Sequence, residues 1–321
     1  MSGAHQHHHH GGHSHGTLTA RAALASVATA LGLLLLKAYA AWETGSVAML
    51  GSLADTGLDF LASLVTLYGV RLAAVPADRD HRFGHGKAEA LAALFQVALI
   101  AVSAAAIGWR AVERLIEGET TAHAEYGIAV SLVAMAVTLG LLAYQRRVIA
   151  RTGSVAIEAD HVHYQTDLLL NLSVIAALVL DQYVGFTGAD PLFGVAIALW
   201  LGWGAWRASS RAIDQLMDRE WPEERRRRFL EVAARHPELR GIHDLRTRSS
   251  GAHDFVQFHI WVDPKMSVAE AHRVTDEIEQ KLGPEFPGAE ILIHLDPEGQ
   301  VDQPGNSLAE TDLTPHKGDA T

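Results

Sequence analysis

The chain has 321 residues, no cysteine and a formal net charge of −11. Without cysteine there are no disulfides or thiolate metal sites, so any bound metal falls to His, Asp and Glu. The acidic balance argues against a nucleic-acid partner. The overall hydrophobic share, 49%, suits a soluble or a membrane protein, but its distribution is uneven: most of 17–217 is apolar and poor in charge, and from about 218 the chain becomes charged and ordinary. That shift predicts a membrane domain followed by a soluble one.

The first stretch, "MSGAHQHHHHGGHSHG" (1–16), is rich in glycine and histidine and predicts a disordered tail that collects metal loosely. A purification tag is the other reading, against which the interrupted pattern speaks. Six predicted spans follow, near 18–42, 46–71, 88–114, 124–147, 155–181 and 190–213. Each is long enough to cross a bilayer, which takes roughly 20 residues. Small-residue runs such as "VSAAAIG" (102–108) suit close helix packing.

Lys and Arg gather in alternate loops: Arg71, Arg79, Arg82 and Lys87 after span two, Arg146, Arg147 and Arg151 after span four, and Arg207, Arg211 and Arg219 around the end of span six. "WETG" (42–45) and "DQYVGFTGAD" (181–190) carry none, and only Arg110 and Arg114 dissent. The positive-inside rule then places both termini in the cytoplasm, as an even number of spans requires.

Beyond the spans the pattern predicts helix, strand, strand, helix, strand. "PEERRRRFLEVAARH" (222–236) opens on a proline, which suits a first helical turn. "GIHDLRTRSSG" (241–251) reads as a strand running into a turn. "DFVQFHIWVD" (254–263) alternates, with Val256, Phe258, Ile260 and Val262 on one face and Gln257, His259 and Trp261 on the other. "SVAEAHRVTDEIEQKL" (267–282) begins with a capping-box pair, Ser267 and Glu270. "AEILIHLD" (289–296) is the last strand. This α-β-β-α-β order predicts a small α+β sandwich. The polar end, 299–321, predicts a second disordered tail.

Ionisable residues inside spans are costly and mark function. Span two carries Asp55 and Asp59, and span five carries His163 and Asp167; each pair is spaced i, i+4 and so shares one helix face. Facing each other, the pairs offer three carboxylates and one imidazole, enough to close a tetrahedron around Zn²⁺. Carboxylates crowded in a low dielectric repel, and a divalent cation or protons relieve the cost. A site alternating between metal and protons is the core of an antiporter. Simple helix-to-helix hydrogen bonding is the competing reading, and it explains two pairs poorly. His161, about 200° around an ideal helix from His163, reads as a bystander.

Two further clusters are weaker on spacing alone. In "PADRDHRFGHGKAE" (76–89), Asp78, His81 and His85 recur at i, i+3, i+7, but a solvated charged loop explains them as well. His243, His259, His272, His294 and Asp296 are scattered through the soluble part and read by themselves as surface residues. A membrane-anchored metal sensor or store would use these histidines and the tail, but not ligand pairs within two spans. A metallohydrolase would need an open metal position and a general base, and no H-E-x-x-H motif is present.

Five segments carry a family resemblance, in family order: "TGSVAMLGSLADTGLD", "PADRDHRFGHGKAEALAAL", "ADHVHYQTD", "GIHDLRTRSSG" and "ILIHLDP". Over about 17–298 the chain resembles the cation diffusion facilitators, most closely the bacterial zinc/ferrous-iron efflux transporters of that family. The resemblance implies a domain plan of 17–214 for the six-helix membrane domain and 218–298 for a ferredoxin- or metallochaperone-like cytoplasmic domain that dimerises and binds metal. It implies a transport site of Asp55, Asp59, His163 and Asp167, a loop site of Asp78, His81 and His85, and a cytoplasmic two-metal site of His243, His259, His272, His294 and Asp296. Lys87 and Asp218 correspond to a charged pair where the two domains meet. Together these readings predict a homodimer in a bacterial inner membrane that exports Zn²⁺ against protons. Fe²⁺, Cd²⁺, Co²⁺ and Mn²⁺ suit the same donors. The His-rich tail departs from the family pattern.

Overall fold

A computed structural model describes residues 10–44, 47–117, 128–184, 189–237, 240–300 and 313. Two compact units divide the chain, one spanning His15–Asp214 and the other taking in Gln215 onward. The first is built from six long helices: α1 (His10–Thr44), α2 (Val47–Ala73), α3 (Ala88–Glu117), α4 (Ile128–Thr152), α5 (Val155–Val184) and α6 (Ala189–Leu216). The second contains α7 (Glu223–Ala233), β1 (Gly241–Ser250), β2 (His253–Val262), α8 (Val268–Glu285) and β3 (Ala289–Pro297).

Three helices of the first unit are long and apolar enough to cross a membrane among the described residues: Gly16–Glu43, Ala88–Ile116 and Leu132–Thr152. Buried aliphatic residues of five helices meet in one cluster that includes Ala22, Ala23, Leu67, Val70, Ala92, Val148, Ala156 and Ile157. Small residues allow this closeness: a Cβ placed on Gly69 of α2 would stand 2.3 Å from the Ala92 Cβ of α3.

The helix ends differ from the sequence-based spans in informative ways. α1 starts at His10, earlier than expected, and so takes in "HGGHSHG". Extending an existing helix needs no new nucleus, and no proline stops it. α4 runs to Thr152, so Arg146, Arg147 and Arg151 ride its last turns rather than a loop. Gly153 ends it, with φ 64° and its N–H donated to the Ile149 carbonyl at 2.8 Å.

In the second unit β1 and β2 form an antiparallel hairpin, and α8 carries the chain over to β3, which pairs parallel to β2. The alternation of β2 matches its burial: Val256, Phe258, Ile260 and Val262 all enter the core. Phe229 and Val232 of α7 and Val274, Ile278 and Leu282 of α8 cover that face. Phe229 packs edge-on to Phe258, with ring centroids 5.3 Å apart. α8 begins in a full capping box: Ser267 accepts the Glu270 N–H, and Glu270 accepts the Ser267 N–H at 2.9 Å. One residue of the polar C-terminal stretch is described. Leu313 packs on this core and donates its N–H to the Ile242 carbonyl at 2.7 Å, on the free side of β1.

Candidate metal centres

The i, i+4 spacing on α2 and α5 turns each pair toward one side of its helix, and the packing of α2 against α5 brings three of the four side chains together. His163 Nε2 lies 3.0 Å from Asp59 Oδ1 and 4.0 Å from Asp167 Oδ2. One ligand atom from each lies within 4.8 Å of the others, a spread one cation can span. Asp55, one turn earlier on α2, is exposed and stands outside this tight group. It remains one of the charges acting on Asp167, together with those of His163, Asp59 and Lys37.

A buried polar network fixes the helices around this centre. Tyr164, 2% exposed, donates its hydroxyl to the Ser26 carbonyl at 3.1 Å and lies 3.0 Å from Ser63 Oγ. This ties α5 to α1 and α2 at the residue following His163. The Gln145 amide of α4 donates to Ser26 Oγ at 3.0 Å and to Asp160 Oδ2 at 2.8 Å. Its carbonyl oxygen takes His161 Nδ1 at 3.1 Å, so His161 is committed to this network rather than to the centre. On the other side, Lys37 of α1 donates to Thr56 Oγ1 of α2 at 2.7 Å. The sequence reading missed Lys37, Gln145 and Ser26; a lysine in an apolar run was the visible signal for the first.

The loop between α2 and α3 brings Asp78, His81 and His85 together. The His81 N–H, at 2.6 Å, and the Asp80 N–H, at 2.9 Å, both donate to Asp78 Oδ1. The two imidazoles lie 3.3 Å from the same carboxylate, His81 on Oδ1 and His85 on Oδ2. The His81 N–H, first among the causes, holds the Asp78 carboxyl below its ordinary range. Gly84, at φ 76°, makes the turn that returns His85 to the group.

The third group is assembled by the sheet. His243 and His259 are direct partners across β1 and β2, and His259 and His294 across β2 and β3. Asp296 is the hub: its Oδ2 takes His243 Nε2 at 3.1 Å and His259 Nδ1 at 2.9 Å, and its Oδ1 takes His294 Nε2 at 3.3 Å. His243, His259 and Asp296 form the tight set, with the His294 ring 4.6 Å from that of His259. His243 is 2% exposed and its Nδ1 is buried without a hydrogen-bond partner among the described residues, as a nitrogen meant for a metal would be. An all-N/O donor set of this kind fits Zn²⁺. Burial, the largest cause, holds the His243 imidazole below its ordinary pKa, against the pull of Asp296.

His272 does not join this set. It is exposed on α8 and faces Asp276, 3.8 Å away. Asp244, missed by the sequence reading, stands instead beside His259, with Oδ2 3.7 Å from Nε2. It occupies the bulge of β1 at φ 48°, a costly conformation for a residue other than glycine. Asp218 lies 3.7 Å from Arg248 within its own unit.

Apolar helices around a His/Asp group, joined in sequence to a small sheet domain with a His/Asp group of its own, point to the class of metal-cation transporters. Residues 23–217 match the cation efflux transmembrane domain, and 221–298 match the cytoplasmic domain of cation efflux proteins. Among curated proteins, the chain is 46% identical over 276 residues to the cation-efflux pump FieF of Shewanella oneidensis, covering 86% of this chain and 93% of that one. It is 41% identical over 288 residues to FieF of Klebsiella pneumoniae, covering 90% and 96%. Among solved structures, a putative zinc transporter, CzrB in its Zn form, covers 26% of this chain and 98% of its own, at 42% identity and a TM-score of 0.24. The chain belongs to the cation efflux family, the cation diffusion facilitators, whose members are transporters and not enzymes.

Proposed function

We propose that this protein exports Zn²⁺ from the bacterial cytoplasm across the inner membrane in exchange for protons. The carrying observation is the convergence of Asp59, His163 and Asp167 from two helices of the membrane unit. Asp55, on the same helix as Asp59, completes the set when metal draws the carboxylates inward. Three carboxylates without a cation repel in a low dielectric, so a centre that gives up metal must take up protons. The imidazole favours zinc over an all-oxygen site, with Fe²⁺, Cd²⁺, Co²⁺ and Mn²⁺ as weaker cargo. The helices α1 to α6 act as six spans with both termini cytoplasmic, in keeping with the alternation of Lys and Arg between loops. Rocking of these helices exposes the site first inward and then outward.

The cytoplasmic domain joins two copies into a homodimer and senses metal. Its filled His243, His259, His294 and Asp296 group, with His272 supplied from the exposed surface of α8, favours one dimer geometry and so tunes transport. The loop group Asp78, His81 and His85 holds a further metal at the cytoplasmic face.

The test is zinc flux into proteoliposomes under an imposed proton gradient, with Asp59→Ala and Asp55→Ala as controls. Gradient-driven uptake that both substitutions abolish supports the reading. Zinc binding without gradient-driven flux overturns it in favour of a membrane-anchored sensor.

A further inference from the structure

Lys37 lies inside α1, within a segment long and apolar enough to cross a membrane. An ammonium there is expensive unless it is used. A lysine near a helix end commonly snorkels its charge out to the interface. Lys37 does the opposite: its Nζ donates to Thr56 Oγ1 at 2.7 Å, and Thr56 is 3% exposed. Thr56 stands nine residues inside α2, about 14 Å along the helix at 1.5 Å per residue. It directly follows Asp55 and precedes Asp59 by three positions, so the ammonium is anchored on the stretch of α2 that carries the candidate ligands. The charges acting on Asp167 include Lys37 beside His163, Asp59 and Asp55.

We infer that Lys37 is a fixed counter-charge of the transport centre, held by Thr56, that balances its carboxylates and speeds release of the metal; the inference rests on the transport reading above. Asp55, Asp59 and Asp167 with one divalent ion leave a single net negative charge, which one ammonium cancels. When the ion leaves, the same ammonium stabilises those carboxylates of the emptied centre that have not yet taken up a proton. A permanent cation therefore weakens metal binding and lowers the barrier to release. It touches Thr56 rather than a ligand, so it acts through the field at the site and is a positioning residue.

The experiment compares full-length wild type with Lys37→Met, Lys37→Gln and Lys37→Arg in proteoliposomes, reading zinc KM and kcat under a fixed proton gradient, with zinc titration of the same proteins in detergent. Glutamine keeps a donor for Thr56 without the charge. The expected result is that Met and Gln each lower KM and the zinc Kd by about tenfold and lower kcat by a similar factor, the pattern of a lost ground-state destabilisation, while Arg stays near wild type. Unchanged constants in Met and Gln overturn the inference, as does weaker zinc binding in either. A defect in Met that Gln repairs also overturns it, because it makes Lys37 a structural pin between α1 and α2. Absence of wild-type flux would instead sink the transport reading, so the two failures are distinct.

Discussion

His163 Nε2 and Asp59 Oδ1 stand 3.0 Å apart, although 104 positions separate the residues. The pair bridges α5 and α2 and sets the spacing of the candidate transport centre. The Tyr164 hydroxyl, bonded to the Ser26 carbonyl, fixes the next residue of α5. Replacing either member of the pair leaves a ligand set too small to strip zinc of its water. Asp59→Ala and His163→Ala are expected to lower gradient-driven zinc flux at least a hundredfold, read by a zinc dye inside vesicles.

Ligand chemistry yields a selectivity prediction. Changing His163→Asp replaces the only imidazole of the set with a hard oxygen donor. The preference is expected to move from Zn²⁺ toward Mn²⁺ by about tenfold or more. Competition flux with both metals checks it, and an unchanged ratio would assign selectivity elsewhere.

In the cytoplasmic domain Asp296 contacts all three of His243, His259 and His294. A ligand that binds only the folded state stabilises it, by about 2.7 kcal/mol at one hundred times its Kd. Zinc is therefore expected to slow hydrogen exchange in β1 and β2 of the full-length protein. Asp296→Ala should abolish that protection, whereas His272→Ala, at an exposed position beside Asp276, should weaken it only in the dimer.

The lowered pKa of buried His243 gives a pH dependence. In the unfolded chain a histidine takes up its proton near its ordinary pKa of about 6.5, while in the fold the proton is accepted only at lower pH. The unfolded state therefore binds more protons in that window, and stability is complete above about pH 6.5 and falls as pH drops through it. Metal-free protein should show weaker protection in β1 and β2, once exchange is corrected for the intrinsic rate at each pH, at pH 5.5 than at pH 7.5. His243→Asn is expected to flatten the difference.

The helix cap of α8 offers a control remote from any metal group. Ser267→Ala removes the acceptor for the Glu270 N–H, while the backbone N–H of position 267 still donates to the Glu270 carboxylate. A loss of about 1 kcal/mol is expected, visible in exchange along α8 with zinc flux unchanged.

The helical runs, the sheet elements and the ligand pairs of α2 and α5 were legible in the order of residues, because hydrophobic period and i, i+4 spacing are local; the loop group and the soluble histidines were assigned to metal only through the family resemblance. Val256, Phe258, Ile260 and Val262 announced their shared face by alternation alone, and each is buried. Asp55 and Asp59 share a helix side for the same local reason, yet only Asp59 joins His163 and Asp167 in the tight group. How far along two packed helices their side chains coincide is a matter of register, which no single helix encodes. His243, His259 and His294 looked like surface residues until β-strand pairing set them side by side. Asp244 escaped notice because its approach to His259 depends on a bulge. Lys37 was visible as a costly charge, but its partner, Thr56 on the next helix, appeared only in the packing. Sequence by itself determined which residues could carry metal chemistry; tertiary structure decided which of them meet, because proximity between elements follows from packing and register rather than from spacing along the chain.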